Sequence, residues 1–509
     1  MNLNRRHFLL GSAAAAALAG CSTARTGVRP LKPGEKRNVA LIGIGIQGRF
    51  LLGEFLKQKN VRVVAICDCD KTRREDGAAR VDRHYKGGAK CRAVADFREV
   101  MDDPTIDAVC IATPDHWHAY ISVEAMKHGK DVYCEKPMTF SIDEAKKVMA
   151  AQEKYGRVFQ TGSMQRSWRV FRVAASLVRG GVIGDVRYVD ANYGKGGEKL
   201  GGPSHPVRFF DVPENAAKES EGYEKLGEKG WDMWLGPARW RPYSNQLAPV
   251  GVNRFYPMFW RFDDDIGSGY NGDWGAHHLD IAQWGIDMDD SGPYRVVRSD
   301  EPYSTNLFHG GRRQFGMKML FKSKKDGGDI ELYHGPFGVW GTVFYGTNGI
   351  VAVNRGKIAV WTGFDATAAK PDEAVRKGLQ DVSYMKDRIV AESVGKDYGT
   401  DAAVKKDNRL DAALDLLEKK YAAEIRKAGL YVSQNQIRNF CECIDSRRTT
   451  ISPAAVGGRS CTLCLLCNIS YVYDTGFDWD PAKMEFANGT GDAGWLRRAV
   501  CRNGWEVVV

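Results

Sequence analysis

The stretch VALIGIGIQGRF, Val39 to Phe50, decides the fold. Its apolar start predicts a buried β-strand, and three glycines follow in the spacing G-x-G-x-x-G. Between a strand and a helix, the first glycine permits a tight turn and the second lets the backbone approach a pyrophosphate. The third allows close helix packing, and the anion lies on the helix N-terminus. We therefore predict a dinucleotide-binding turn made by Gly43, Gly45, Ile46, Gln47 and Gly48.

An acidic residue about 20 positions further on, at the end of the second strand, completes this pattern. Asp68 stands there, directly after the apolar run VRVVAIC. Its carboxylate would accept hydrogen bonds from ribose hydroxyls and repel a 2′-phosphate, which favours NAD. Lys71, Arg73 and Arg74 follow closely and leave NADP open.

The rest of the chain divides into two patterns. Residues 37–161 alternate short apolar runs with helical periods, which predicts a Rossmann-type α/β domain with a parallel sheet covered on both faces. Residues 162–509 hold a Trp-, Gly- and Pro-rich stretch and then several strand-like segments, whereas residues 366–427 are charged, rich in Ala and predicted to be helical. They predict an α+β domain for substrate binding and oligomerisation, with a largely antiparallel, open-faced sheet. The exposed face of that sheet would suit a homo-oligomer.

The first residues have the pattern of an export signal. Arg5-Arg6 precedes a short Ala-rich apolar run that ends in LAGC, with Cys21 last. The pattern predicts a twin-arginine signal over residues 1–21, lipidation of Cys21, and a location on the periplasmic side of a membrane. Residues 22–36 are polar and rich in Pro, Gly and charge, which predicts a linker. An unprocessed apolar N-terminus is the alternative.

Composition excludes some classes of function. The chain has 509 residues, 43% of them hydrophobic, which is ample for a core of more than one domain. The formal charge is +10, but both signs are interspersed, so we expect no nucleic-acid partner. No run of about 18 apolar residues follows the signal, so we expect membrane contact through the lipid alone.

The twelve cysteines suggest free thiols, because several lie on predicted buried strands. The segment CTLCLLC, Cys461 to Cys467, spaces three of them at intervals of three. On a helix these sulfurs would share one apolar stripe, and we favour a buried helix without a metal. Part of an iron–sulfur or zinc site is the alternative.

Two further clusters predict the reacting end of the site. Glu135-Lys136-Pro137 follows an apolar strand, and ligands bind at such strand ends in parallel sheets. The segment NGDWGAHHLDIAQW places Asp273 and His277 four residues apart, so on a helix they share a face. An Asp beside a His would orient the ring and raise its basicity, as a proton-transfer base requires. A metal held by His277 with Asp273 or Asp280 is the alternative.

The chain resembles the Gfo/Idh/MocA oxidoreductase family over nearly all of residues 37–509. The resemblance rests on GIGIQG, ATPDHWHA from Ala112 to Ala119, CEKP, the Asp-x-x-x-His of DWGAHHLD, and SCTLCLLCNISY from Ser460 to Tyr471. The last segment resembles the family's late helix, near residues 458–474, which returns to the first domain. The family binds NAD or NADP and oxidises or reduces a carbinol of a sugar or polyol.

The resemblance implies roles for individual residues. Lys136 and His277 would be catalytic with Asp273 in support, while Thr113, Pro114, His118 and Glu135 would join the cofactor site. Polar and aromatic residues near these motifs are candidate sugar contacts: Gln165, Arg166, Trp231, Asn271 and His278, with Trp234, Trp240 and Trp260 as further stacking candidates. Packing in the core or at the domain interface is the alternative for the tryptophans.

An exported nicotinamide enzyme has no soluble coenzyme pool to draw on. We therefore predict a tightly retained NAD(P) in an oxidoreductase that acts on a sugar, glycoside or polyol. A redox-neutral glycosidase, which oxidises, eliminates and then reduces again, is the second hypothesis. A non-catalytic sugar-binding lipoprotein is the third.

Overall fold

The structure is a computed structural model. It describes residues 28–193, 221–245, 247–252, 259–309, 312–334, 340–379, 384–394 and 408–509. The proposed signal, including Arg5-Arg6 and Cys21, lies outside these residues, as does the first part of the proposed linker.

The first sheet confirms the predicted parallel arrangement. Its six strands are β1 Arg37–Ile42, β2 Val61–Cys67, β3 Arg92–Val94, β4 Ala108–Ile111, β5 Asp131–Cys134 and β6 Phe159–Thr161. They lie in the order β3-β2-β1-β4-β5-β6, and every pairing is parallel. Every residue of β4 and β5 is buried, because helices cover both faces of the sheet.

Five helices connect or flank these strands: α1 Ile46–Leu56, α2 Lys71–Tyr85, α3 Arg98–Met101, α4 His118–Lys127 and α5 Ile142–Tyr155. Local sequence explains two of the starts. The Asp70 carboxylate accepts a hydrogen bond from the Arg73 N–H and caps α2. Ser141 and Glu144 form a reciprocal capping box at the start of α5. The strand order reverses direction between β1 and β4, which is where such sheets bind dinucleotides.

The second sheet confirms a largely antiparallel architecture. Its strands are β7 Val186–Ala191, β8 Arg295–His309, β9 Arg312–Lys322, β10 Asp329–His334, β11 Thr342–Gly346, β12 Gly349–Asn354, β13 Lys357–Thr362, β14 Ile389–Val394, β15 Phe477–Asp480 and β16 Glu485–Phe486. They lie in the order β14-β13-β12-β11-β7-β10-β9-β8-β15-β16. The β7–β10 pairing is parallel, and the other pairings are antiparallel.

In the described residues, the remaining α-helices are α6 Arg169–Gly180, α7 Glu221–Leu235, α8 Ala276–Gly285, α9 Glu373–Gly378, α10 Asn408–Lys420, α11 Ala422–Ala428, α12 Gln436–Ser446 and α13 Ala454–Tyr473. Helix α7 is broken at Gly227, whose φ is 72°. Strand β14 lies inside the 366–427 segment that the sequence predicts to be helical, because pairing with β13 overrides the local pattern.

The late helix α13 returns to the first sheet's domain, where it packs on α5 and β6. Cys461, Cys464 and Cys467 are buried along it, as the helical interpretation of CTLCLLC predicts. Within the described ranges, no helix is both long and apolar enough to cross a bilayer.

Candidate functional site

The glycine turn after β1 is built to receive a ligand at its second glycine. A Cβ at Gly43, whose φ is 83°, would lie 2.7 Å from the Ala112 backbone, and one at Gly48 would lie 2.1 Å from the Gly43 carbonyl oxygen. A Cβ at Gly45 would meet nothing within 4 Å. Gly45 is also the N-cap residue of α1 and, as a glycine, has no side chain to cap the helix. The helix N-terminus therefore opens onto free space, which fits a pyrophosphate.

Asp68 lies beside this turn at the end of β2. Its carboxylate accepts hydrogen bonds from the N–H groups of Ile44 and Asp70, each at 2.9 Å. Burial raises the pKa of this carboxyl against the opposing effects of Arg73 and those two donors. The two bonds hold the side chain at the edge of the cavity, where the pattern places the ribose.

Arg73 and Arg74, which kept NADP possible as the cofactor in the sequence prediction, form hydrogen bonds with the protein backbone. Arg73 Nε donates to the Gly251 carbonyl at 2.9 Å, and its Nη2 donates to the Pro249 carbonyl. Arg74 Nη1 donates to the carbonyls of Cys69 and Asp68 at 3.0 and 3.3 Å. Both guanidinium groups are thus bonded to backbone oxygens and not directed to a 2′-phosphate. This arrangement supports NAD over NADP as the cofactor.

One cavity of about 500 Å³ contains both predicted ends of the site. Its lining includes the glycine turn and Asp68 at one end, and Lys136, Asp273 and His277 at the other. The predicted cofactor residues Ile46, Gln47, Thr113, Pro114, His118 and Glu135 also line it. The buried Thr113 Oγ1 has no hydrogen-bond partner among the described residues, so a polar ligand fits there.

Lys136, Asp273 and Arg261 form an ion cluster at the reacting end. Lys136 follows β5, and its Nζ lies 2.6 Å from Asp273 Oδ1 and 3.0 Å from the Asp273 carbonyl oxygen. Arg261 Nε lies 3.3 Å from Asp273 Oδ2. Burial alone would raise the pKa of Asp273, but these two cations outweigh it and lower the pKa to about 2. Asp273 is therefore ionised and fixes the Lys136 ammonium as a hydrogen-bond donor facing the cavity.

His277 lies in the first turn of α8, after a π-helical turn that runs from Asn271 to Gly275. Burial, with the positive charges of Arg355 and Lys136, holds the pKa of His277 well below its ordinary value. The ring is therefore neutral and able to accept a proton. The predicted pairing of Asp273 with His277 is wrong, because the Asp273 carboxylate bonds Lys136 and Arg261 instead.

His118 and Glu135 connect the cavity wall to the sheet. The His118 Nδ1 lies 2.7 Å from the Pro137 carbonyl and Nε2 lies 2.9 Å from the Thr113 carbonyl, so both ring nitrogens face acceptors. Burial opposes ring protonation, but Cys134, Asp115 and the Pro137 carbonyl raise the pKa of His118 to about 10. Glu135 accepts a hydrogen bond from Gln47 Nε2 at 3.0 Å, which ties the end of β5 to α1.

The five predicted sugar contacts do not line this cavity. Arg166 is buried between the carboxylates of Asp280 and Asp289, because its charge requires partners in the interior. Trp231 stacks on Trp234 in a separate apolar cluster and donates to the Arg241 carbonyl. These two residues are core residues, which corrects the sequence assignment.

The other three are interior residues as well. Asn271 bonds the Tyr193 hydroxyl and Asn468, each at 2.8 Å. His278 stacks between Trp274 and Tyr193, and the buried side chain of Gln165 has no hydrogen-bond partner among the described residues. Their polarity suggested sugar contacts, but all three side chains are buried and none of them lines the cavity.

The metal alternative finds no support in the described side chains. Asp280 Oδ1 accepts hydrogen bonds from Arg166 and Ser460. In the part of the chain that the structure describes, no three His, Cys, Asp or Glu residues cluster closely enough to hold an ion.

The cavity residues that the sequence did not predict include Arg261, Trp274 and Arg355. Arg355 lies in the β12–β13 hairpin, 4.7 Å from the Trp274 ring and far along the chain from every motif. Trp274 lies within the Asp-x-x-x-His segment. Its position next to Asp273 is the one sequence signal that could have identified it as a cavity residue. Of the four tryptophans considered for stacking, Trp234 and Trp260 line the cavity, whereas Trp240 is exposed.

Comparison with known proteins agrees with this geometry. Residues 37–163 match the model of the oxidoreductase family described as an NAD-binding Rossmann fold, and residues 216–322 match that family's C-terminal alpha/beta domain. A solved oxidoreductase from Agrobacterium radiobacter, in complex with NAD+, L-tartaric acid and magnesium, has a TM-score of 0.52 at 14% identity. That comparison covers 87% of this chain and 98% of the other.

Curated relatives match the chain over shorter spans. A glycosyl hydrolase family 109 protein from Stenotrophomonas maltophilia is 28% identical over 250 residues, which is 47% of this chain and 50% of the relative. An inositol 2-dehydrogenase from Mycolicibacterium smegmatis is 32% identical over 148 residues, which is 29% of this chain and 41% of the relative. The matches thus span half or less of these relatives' own lengths.

The two family matches, the strand order and the glycine turn agree with one another. The chain belongs to the Gfo/Idh/MocA oxidoreductase family, and residues 37–163 are its NAD-binding Rossmann domain.

Proposed function

We propose that the protein is an NAD(P)-dependent oxidoreductase that acts on a carbinol of a sugar, glycoside or polyol and keeps its cofactor tightly bound. The observation that carries the proposal is a single cavity lined by both the glycine turn and the Lys136–His277 end. The similarity to an inositol 2-dehydrogenase supports a polyhydroxylated substrate.

Two residues at the reacting end act on the substrate hydroxyl in different roles. The His277 ring, which its lowered pKa leaves unprotonated at neutral pH, is the base that takes the hydroxyl proton. Lys136, fixed by Asp273, donates a hydrogen bond to the same oxygen and stabilises its developing charge. The nicotinamide supplies the hydride acceptor. Trp274 and Trp260 contribute aromatic surface to the lining of the same cavity.

A redox-neutral, NAD-dependent glycosidase is the second candidate. The similarity to the glycosyl hydrolase family 109 protein favours it, since that match covers nearly half of this chain. The same Lys136 and His277 would serve it, because transient oxidation of a sugar hydroxyl needs the same proton transfer.

The location forms part of the proposal. Arg5-Arg6 and Cys21 support export by the twin-arginine route and a lipid anchor on the periplasmic side. Outside the cytoplasm a dissociated coenzyme is lost, so export supports a retained nucleotide.

The test starts from purified, undialysed wild-type protein. Acid denaturation followed by chromatography identifies the released nucleotide, and a panel of glycosides and polyols is then screened without added NAD. An oxidoreductase leaves reduced nicotinamide, seen by its absorbance, until a second substrate is added. A glycosidase releases aglycone and returns unaided to the oxidised form. Protein that binds neither NAD nor NADP when both are supplied refutes the proposal.

A further inference from the structure

A segment from the second part of the chain closes over the nucleotide cavity. We call residues 231–252 the cover, of which all but residue 246 are described. It lines the cavity with Met233, Trp234, Leu247, Ala248, Pro249 and Val252. The glycine turn and the end of β2 line the same cavity from the Rossmann domain. A dinucleotide on the glycine turn would therefore lie between the Rossmann domain and the cover.

The C-terminal end of the cover is hydrogen-bonded to the Rossmann domain beside the predicted ribose position. Arg73 Nε donates to the Gly251 carbonyl at 2.9 Å, and Nη2 donates to Pro249. The Gly251 N–H donates to Asp70 in return. Asp70 and Arg73 begin α2, directly after Asp68. Three hydrogen bonds thus hold the cover closed at the adenosine end.

The base of the cover is bonded to Arg502, near the end of the described chain. The Arg502 N–H donates to the Pro237 carbonyl at 3.1 Å, and its Nε donates to the Ala238 carbonyl at 3.0 Å. The Arg502 guanidinium also pairs with the Asp232 carboxylate. Arg502 therefore bonds both the last turns of α7 and the turn that follows the helix.

Trp505, three residues after Arg502, also packs against the Rossmann domain. The Trp505 ring lies 5.0 Å from Trp117, 5.1 Å from Tyr120 and 5.9 Å from Phe97. Trp117 and Phe97 line the cavity, and Trp117 Nε1 donates to the Met233 carbonyl of the cover at 3.1 Å. Residues 502–505 thus bridge the cover and the domain that it closes.

We propose that the cover, latched by Arg73 and fastened by Arg502 and Trp505, is a clamp that retains the dinucleotide. This inference rests on the proposed function, since it concerns release of the nucleotide that the function requires. Release requires the cover to move, and each bond that holds it slows that motion. The clamp gives a physical basis for a cofactor that survives export and repeated turnover.

The test measures nucleotide release directly. Each protein is loaded with NADH, an excess of NAD+ is added, and the loss of bound-NADH fluorescence gives the dissociation rate. Arg73→Ala and Arg502→Ala should each release NADH about tenfold faster than wild type, because each loses charge-assisted hydrogen bonds. Arg187→Ala is the matched control, since its pair with Asp326 lies on the exposed part of the second sheet. It should release NADH at the wild-type rate.

A second variant covers the possibility that Arg502→Ala fails to fold. Asp232→Asn removes the charge partner of Arg502 at a side chain that is 45% exposed, so the fold should tolerate it. Faster release from Asp232→Asn, with unchanged turnover at saturating NAD, supports the clamp. Release at the wild-type rate from both Arg73→Ala and Asp232→Asn overturns it. Wild-type protein that never binds either nucleotide refutes the proposed function itself, so the two failures are distinguishable.

Discussion

The ion cluster at the reacting end gives a quantitative prediction for Asp273→Asn. The side chain of Asp273 is 17% exposed, and its pKa falls from 3.8 to about 2 on folding. At neutral pH, that shift corresponds to about 2 kcal/mol of stability. Asparagine keeps an oxygen for Lys136 but removes the charge that Lys136 and Arg261 share. We therefore expect the free energy of unfolding to fall by about 2–3 kcal/mol at pH 7.

The sign of the pH dependence follows from the lowered pKa. A carboxyl with a depressed pKa in the folded state contributes its stability above the unfolded pKa and loses it as the pH falls through the folded pKa. The difference between wild type and Asp273→Asn should therefore be constant above about pH 5 and fall to about half near pH 3. Urea unfolding followed by tryptophan fluorescence at each pH measures it.

A surface pair provides the control for this experiment. Asp326 has the same lowered pKa, about 2, through its pair with Arg187, but solvent surrounds it. Asp326→Asn should change stability far less, because water and salt screen an exposed pair. Equal stability of wild type and Asp273→Asn at pH 7, or a difference that persists undiminished in acid, would refute the cluster's role.

Lys136→Ala and His277→Ala should each lower turnover by about 10²–10⁴-fold while the protein still binds nucleotide, and steady-state kinetics with nucleotide titration measures both. The double variant should lose less than the product of the two effects, because both groups act on one oxygen; full activity in either single variant contradicts the assignment. Gly45→Ala should fold normally, since its Cβ meets nothing within 4 Å, yet bind NAD more weakly by calorimetry. Asp68→Ala should narrow the preference for NAD over NADP, and wild type that binds NADP alone would contradict this reasoning. Cys21→Ser should move the protein from the membrane to the soluble fraction, and unchanged membrane association would show that lipidation is not the anchor.

The Rossmann domain was predictable because its signals are local. A glycine turn between a strand and a helix is specified within ten residues, and the buried runs of β1, β2, β4 and β5 need no information from elsewhere in the chain. Asp68 follows from the same unit, because it ends the next strand. Strand β14 lies inside residues 366–427, which were predicted to be helical. It was missed because its conformation depends on pairing with β13, which lies outside that segment.

The reacting end was predictable in part. Motif resemblance pointed to Lys136, Asp273 and His277, and all three line the cavity. The bonds among them were not predictable, since spacing along one helix suggested an Asp–His pair. The structure instead joins Asp273 to Lys136, which lies 137 positions away in the chain.

The sequence by itself determined the parallel-sheet domain and the nucleotide turn. Each of these depends on backbone conformation or burial within a short segment. Tertiary structure alone decided that Arg166 is a buried ion-pair residue, that Arg261 and Arg355 enter the cavity, and that Arg502 reaches the cover. A long charged side chain has the same sequence signal whether it faces solvent, a carboxylate or a ligand. Its partner is fixed only when distant elements pack, because the cost of burying the charge selects the carboxylates and carbonyls within reach.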